Sequence, residues 1–348
     1  MGKKVTIQDI ADELGISRNT VSKAFNNAEG LAPATRDKII QKAMEMDYKQ
    51  FSYVRTLAGI TDSDLKHAEA PSEFNGEISL FTTIFLDSSH FSSLMLDSFQ
   101  KELSQLGYTL NTHRISEDNI ANLTLPITFQ KNRTSAIICF EMFDLDYDQM
   151  ICELGLPVLF VDGPIKKGGR SLPADQLYMN SFDEIDRFIN DMVKRGYRKI
   201  GFIGDYEHCQ SFYERYLAFS LVMNSQGCDI DRKFIIKEND VASLFQKLDA
   251  LDELPDVFLC ANDFIALDSI AALNRRGIRV PEDVLFCGFD DSPESRKAIP
   301  ALTTIHIHTQ IMAFSAIHLL MSRIKEPSLD FRTVYTQCDL IYRASTKD

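Results

Sequence analysis

Residues 5–25 read VTIQDIADELGISRNTVSKAF, and that stretch spells two short helices joined by a glycine turn. Thr6, Ile7, Gln8 and Asp9 have capping-box spacing, so a helix starts after Thr6 with Asp9 bonding back to the cap. Ile10, Ala11 and Leu14 give it one apolar stripe. Gly15 suits the left-handed residue that stops a helix. Ser17 caps a second helix in which Val21, Ala24 and Phe25 turn inward. A third helix runs from about Pro33, tolerated in a first turn, through Ile39, Ile40, Ala43 and Met44. Two helices across a tight turn with a bracing third form a helix-turn-helix.

The face left outward on the second helix carries Arg18, Asn19, Ser22 and Lys23 and no acid. In a helix-turn-helix the first residues of the second helix meet base edges in the major groove. Arginine pairs with guanine and asparagine with adenine, so Arg18 and Asn19 are the candidate base readers. Ser17, Thr20 and Ser22 are candidate phosphate contacts, which position without specifying. A small bundle with a solvated polar face is the alternative for this segment.

Charge is distributed to match. The chain of 348 residues has a net charge of −13, but residues 1–60 carry +2 and the remainder −15. Phosphate tolerates such a head and is repelled by such a body. Residues 59–76, GITDSDLKHAEAPSEFNG, are polar and aperiodic and read as a linker.

From residue 77 apolar strand-like runs (ISLFTTIF, YTLNTH, AIICF, PVLFV, KIGFIG, FII, VFLCA, VLFCGF) alternate with amphipathic helical segments at 91–106, 181–195, 208–226, 263–276 and 309–324. Continuous apolar strands separated by helices imply parallel sheets covered on both faces. About 270 residues exceed one ordinary sheet, so two doubly wound α/β lobes are expected.

Other classes are disfavoured. No apolar run approaches 18 residues, and the N-terminus turns polar at once, unlike a secretory signal. Seven scattered cysteines without a CxxC pair read as reduced core thiols in cytoplasm and exclude a zinc finger. Gly201-Phe-Ile-Gly204 lacks the third glycine of a dinucleotide fingerprint. GxxxxGK[ST], HExxH and GxSxG are absent, and His306-Ile-His308 has no acidic or cysteine partner at metal-ligand spacing. No cofactor is expected, and the chain does not read as an enzyme.

VTIQDIADELGISRNTVSKAFNN with TRDKIIQKAMEMDY resembles the DNA-binding head of the LacI/GalR family of bacterial transcription regulators. The resemblance continues through SYVRTLAG, where Leu57 stands at the family's minor-groove leucine, and through RGYRKIGFIGD, ANDFIALDSIAALNRRGIRVPEDVLFCGFDDSPES and PALTTI. Two departures are visible. Gln50 replaces the usual proline two residues after Tyr48, and the linker is about a dozen residues longer than the family norm. The stretch 111–135 also has few family-like features.

The resemblance implies a head with hinge helix over 1–58, a linker over 59–76, and a periplasmic-binding-protein-like body over 77–348. Its lobes would span about 77–179 with 309–325, and 180–305 with 326–348. It implies a sequence-specific repressor, dimeric on a palindromic operator, controlled by a small effector such as a sugar. The residues expected at DNA are Thr6, Ser17, Arg18, Asn19, Thr20, Ser22, Lys23, Thr35 and Leu57, the last as a wedge at the operator centre. Ligands of doubly wound sheets bind beyond the carboxyl ends of the strands. Asp162, Arg215, Asn262 and Asp290 follow such strands and lie where the family commonly contacts effector. An arginine fork with carboxylate and amide partners suits a polyhydroxylated ligand. Phe160, Phe212, Phe264 and Phe289 are expected mostly in the core, with Asp263 and Asp291 capping the helices that follow them. A transport-type sugar-binding protein is the alternative that the body alone would permit.

Overall fold

The computed structural model describes residues 6–25, 32–46, 74–83, 90–166 and 170–346. The chain divides into two compact units, one within Met1–Phe74 and one over Asn75–Ser104 and Tyr108–Asp348. Leu57, Gln50 and the linker up to residue 73 lie outside the described residues.

The first unit holds α1 (Ile7–Leu14), α2 (Arg18–Phe25) and α3 (Pro33–Glu45). The expected capping box is present. The Thr6 hydroxyl oxygen accepts from the Asp9 amide at 3.2 Å, and the Asp9 carboxylate accepts from the Thr6 amide at 2.8 Å. Gly15 stops α1 at φ 64°, ψ 32°, and a Cβ there would meet nothing within 4 Å. Its requirement is conformational, since only glycine takes the left-handed region without strain. Ile10 and Ala11 of α1, Val21 and Ala24 of α2, and Ile39 and Ala43 of α3 form one buried core.

The second unit contains two six-stranded sheets. The first is built from β1 (Gly76–Thr82), β2 (Tyr108–Arg114), β3 (Thr134–Phe140), β4 (Val158–Val161), β5 (Asp175–Met179) and β11 (Thr333–Thr336). Its order is β2-β1-β3-β4-β5-β11, parallel throughout. The second is built from β6 (Ile200–Ile203), β7 (Ile235–Ile236), β8 (Val257–Cys260), β9 (Leu285–Asp290), β10 (Thr303–Ile307) and β12 (Cys338–Ile341). Its order is β7-β6-β8-β9-β10-β12, with β12 antiparallel to β10. Both orders reverse once, between β1 and β3 and between β6 and β8, as doubly wound sheets do.

Nine helices among the described residues complete this unit: α4 (His90–Gln105), α5 (Glu117–Asn122), α6 (Leu145–Cys152), α7 (Phe182–Lys194), α8 (Gln210–Ser225), α9 (Val241–Asp249), α10 (Asp263–Arg275), α11 (Pro293–Lys297) and α12 (Thr309–Lys325). The five longest coincide with the five segments read from periodicity.

The C-terminal segment divides differently from the expectation. β11 pairs in parallel with β5 of the first lobe, Tyr335 opposite Tyr178, while β12 pairs with β10 of the second. The chain therefore crosses between lobes after β5, after β10 and between β11 and β12, and residues 326–337 belong with the first lobe. Asp175 fixes the third arrangement. Fully buried, it accepts from Arg323 Nε and Arg323 Nη2, both at 3.0 Å, and from the Arg332 amide at 2.8 Å. FRTVYTQCDLIYR lacks a continuous apolar run, so neither edge strand stood out in the sequence.

Among the described residues, Asp148 is a buried carboxyl without compensation. It lies on α6, fully buried beside Cys139 and Cys152, and neither carboxylate oxygen has a hydrogen-bond partner among the described residues. Burial, with help from Asp144, pushes its pKa up to about 8.

Candidate functional site

Four acidic residues with positive φ mark the ends of strands: Glu141 (52°) after β3, Asp162 (52°) after β4, and Asp290 (108°) and Asp291 (57°) at the end of β9. Non-glycine residues seldom occupy this region, and such strain gathers at functional sites. The first three line one cavity of about 180 Å³ between the lobes, with Phe143 and Met179 from the first lobe and His208, Ser211, Phe212, Arg215, Asn262 and Phe264 from the second. All four sequence-predicted effector residues thus reach the same cavity, Asp162, Asn262 and Asp290 from strand ends and Arg215 from α8.

Arg215 is 3% exposed. Its Nη1 donates to the Ala261 carbonyl at 2.5 Å, its Nη2 lies 3.8 Å from Asp290, and its guanidinium stacks 3.6 Å from the Phe289 ring centroid. Its Nε has no hydrogen-bond partner among the described residues. A buried guanidinium N–H left unpaired is costly. Burial raises the Asp290 carboxyl well above the usual range, and the Arg215 charge offsets part of this.

Asn262 serves two ends. Its Oδ1 accepts from the Ile265 amide at 2.9 Å and caps α10, while its Nδ2 makes no hydrogen bond among the described residues. Asp263 is therefore not the cap. It is buried and accepts from the Thr304 hydroxyl at 2.6 Å and the Ser292 amide at 2.7 Å. Gly288 makes room for it, because a Cβ there would lie 2.2 Å from Asp263 Oδ1. Asp291 does not cap α11 either, as Ser292 does so. Asp291 gathers Arg296 at 2.8 Å, Arg343 at 2.5 Å and His306 at 3.0 Å. Burial alone would raise its pKa; these partners outweigh burial and hold it at about 2.

Asp162 bridges the lobes. One oxygen accepts from the Ser211 hydroxyl at 2.6 Å, and the other from the amides of Gly163 at 2.8 Å and Ser211 at 3.3 Å. The N-cap of α8, Cys209, makes no side-chain cap bond, so the first lobe supplies that helix with its cap. The Gln210 amide also donates to the Gly163 carbonyl at 2.9 Å. Across the cavity mouth the Phe143 and His208 rings meet edge to face at 4.9 Å. Burial lowers the His208 pKa, against the pull of Asp162 and Asp205.

Phe160 is core, Phe212 and Phe264 line the cavity, and Phe289 is buried beneath Arg215. Glu141, Phe143, His208 and Ser211 were missed in the sequence. Glu141 follows AIICF as Asp162 follows PVLFV, so the strand-end rule could have found it.

In the head, Asn19 and Lys23 of α2 are exposed and Arg18, Thr20 and Ser22 half-buried, opposite the buried Val21 and Ala24. Ser17 Oγ accepts from the Thr20 amide at 3.1 Å and lies 2.8 Å from Thr20 Oγ1, which fixes the start of this helix. Thr6 is exposed at the α1 cap and Thr35 half-buried in the first turn of α3.

Residues 6–50 match the model of the bacterial regulatory proteins of the lacI family, and residues 189–346 that of the periplasmic binding protein-like domain. The chain thus carries a lacI-family head and a periplasmic binding protein-like body. Among its relatives, the HTH-type transcriptional repressor PurR of Pasteurella multocida is 27% identical over 98% of both chains. PurR of Haemophilus influenzae (strain Rd) is 24% identical, again over 98% of both. The fold is that of the solved CelR–cellobiose complex (TM-score 0.67, 20% identity, covering 98% of this chain and 100% of that one). It is likewise that of the lac repressor dimer bound to operator and the anti-inducer ONPF (TM-score 0.63, 20% identity, 99% of each). The chain is a DNA-binding transcriptional regulator and not an enzyme. No helix among its described residues is long and apolar enough to cross a membrane.

Proposed function

We propose that this regulator is a cytoplasmic homodimeric repressor whose hold on a palindromic operator is set by a neutral polyhydroxylated effector, a sugar or sugar derivative, in the interlobe cavity. The observation that carries the ligand assignment is Arg215, a buried guanidinium that lines the same cavity as Asn262 and Asp290. Donors and acceptors alternate there at short range, as paired hydroxyls require. Phe212 and Phe264 supply apolar surface for a ring face.

Repression is supported by the repressors matched over the full chain length. Dimerisation follows from area, since one small head buries too little surface for tight specific binding while a two-fold pair reads two half-sites. The seven free cysteines, six of them buried, accord with a reducing compartment. Arg18 and Asn19 read bases, Ser17, Thr20, Ser22, Lys23, Thr6 and Thr35 hold the backbone, and Leu57 wedges the minor groove.

Asp162 takes part through the latch it forms with Ser211. A ligand in the cavity competes with or reinforces that latch, and lobe closure follows. Titration calorimetry of the intact chain and Arg215→Ala against neutral sugars tests the assignment. Loss of one charged hydrogen bond should weaken binding by about 1.5–3 kcal/mol. Equal affinities in the two proteins would return Arg215 to a purely structural role.

A further inference from the structure

A second cavity, of about 370 Å³, opens on the first lobe over the amino-terminal half of β1 and along β2. It shares no lining residue with the effector cavity. Its walls come from Glu77 and Ser79 on β1, Thr109, Asn111 and His113 on β2, and Thr128, Gln130, Arg133 and Thr134 on the connection to β3.

Its origin lies in that connection. The opposite face of β1 is sealed in the usual way, with Ile78 and Leu80 in one core with Met95, Phe99 and Leu103 of α4. On the cavity face the chain between β2 and β3 forms only the six residues of α5 and then turns through to Thr134. This is the stretch, 111–135, whose sequence departs from the family pattern. It covers Phe81 at one end of the face and leaves the other end open.

The open end is polar, rigid and electrically balanced. The Glu77 carboxylate accepts from Asn111 Nδ2 at 2.9 Å and from Arg133 at 2.5 Å, so the one acid and the one permanent cation of the lining cancel. Ser79 Oγ lies 3.0 Å from Thr134 Oγ1, which donates to the Gln130 carbonyl at 3.0 Å. Ser79 is 1%, His113 6% and Thr134 7% exposed. Burial lowers the His113 pKa, so its imidazole is neutral; one nitrogen lies 2.8 Å from Thr128 Oγ1. The Phe81 and Phe129 rings pack edge to face with His113 at 5.5 and 5.8 Å, backing it with an apolar wall. β1 is an interior strand, where apolar side chains are the rule. Hydroxyl, amide and imidazole groups held in fixed positions around an open volume, with one aromatic wall and no net charge, match a polar, uncharged guest.

We propose that this depression is a second ligand site, for a neutral polyhydroxylated molecule of about monosaccharide size. It is independent of the effector cavity, so each can fail without the other.

Saturation-transfer NMR on the full chain tests it, with glycerol, myo-inositol and D-glucose as probes. Arg215→Ala disables the effector cavity, and transfer to at least one probe should persist in that protein. Adding Thr109→Phe, which fills the depression from an exposed edge-strand position, should bring the transfer down to background. Adding Asn111→Leu instead, which removes a wall donor, should do the same. No transfer to any of the three probes in Arg215→Ala overturns the proposal, and so does transfer that survives both second substitutions. The difference between wild type and Arg215→Ala reports separately on the effector cavity.

Discussion

Asp148 gives a quantitative test of the first lobe's interior. Its carboxyl ionises near 3.8 in an unfolded chain and near 8 in the fold. The folded state therefore keeps a proton that the unfolded chain releases between those values, and stability must fall as pH rises through this window. Each pH unit within it costs about 1.4 kcal/mol, so the loss from pH 5 to pH 8 attributable to this group is about 4 kcal/mol. Below about pH 3 both states are protonated and its contribution is constant. Asp148→Asn keeps the shape and removes the titration. Urea unfolding of both proteins at pH 5 and pH 8 measures the difference directly, because other groups titrate alike in the two chains and cancel. The variant should be about as stable as wild type at pH 5 and more stable at pH 8. Parallel pH dependence would refute the reasoning and show that the carboxylate finds a partner or water on ionisation.

Three further outcomes are expected. Arg18→Ala and Asn19→Ala should each cost about 1–3 kcal/mol on the cognate operator and relax preference at one base position per half-site; equal losses on random DNA in a filter-binding series would make them phosphate contacts. Leu57→Ala should reduce operator bending in a circular-permutation gel while the head stays folded, and an unchanged bend would show that the long linker has removed the wedge. Ser211→Ala removes the hydroxyl that Asp162 holds at 2.6 Å and leaves that buried carboxylate underbonded, so it should destabilise the ligand-free body by about 1–3 kcal/mol in thermal unfolding; an unaltered midpoint would mean that the latch contributes nothing without ligand.

Legibility in the sequence followed local rules. Thr6, Asp9 and Gly15 specify α1 through bonds within four residues, and the structure contains every one of them. The long helices and apolar strands were legible because periodicity and burial coincide. β5, β10, β11 and β12 were harder, since DQLYM, TTIHI, TVYT and CDLI carry polar residues whose partners lie far along the chain. Asp175 shows why: its partners Arg323 and Arg332 are about 150 residues away. In the cleft, Arg215, Asn262 and Asp290 were reached through family resemblance and the strand-end rule. That rule did not show that Asn262 also caps a helix, that Asp263 and Asp291 face inward networks, or that Asp162 caps α8 from the other lobe. Each of these depends on tertiary approach, which spacing along the chain does not encode.

The account's central claim is that the interlobe cavity and the DNA-reading head are energetically linked. Fluorescence anisotropy of a labelled operator, titrated with protein at zero and saturating effector, gives the factor by which effector changes operator affinity. Calorimetry of effector binding with and without operator gives the reverse factor, and linkage requires the two to be equal. The account predicts equal factors in the wild-type chain and, at the effector concentration that just saturates wild type, a smaller factor in Arg215→Ala, with ligand-free operator binding retained. Operator affinity that does not change at saturating effector, or an Arg215→Ala chain that still responds in full, would contradict it.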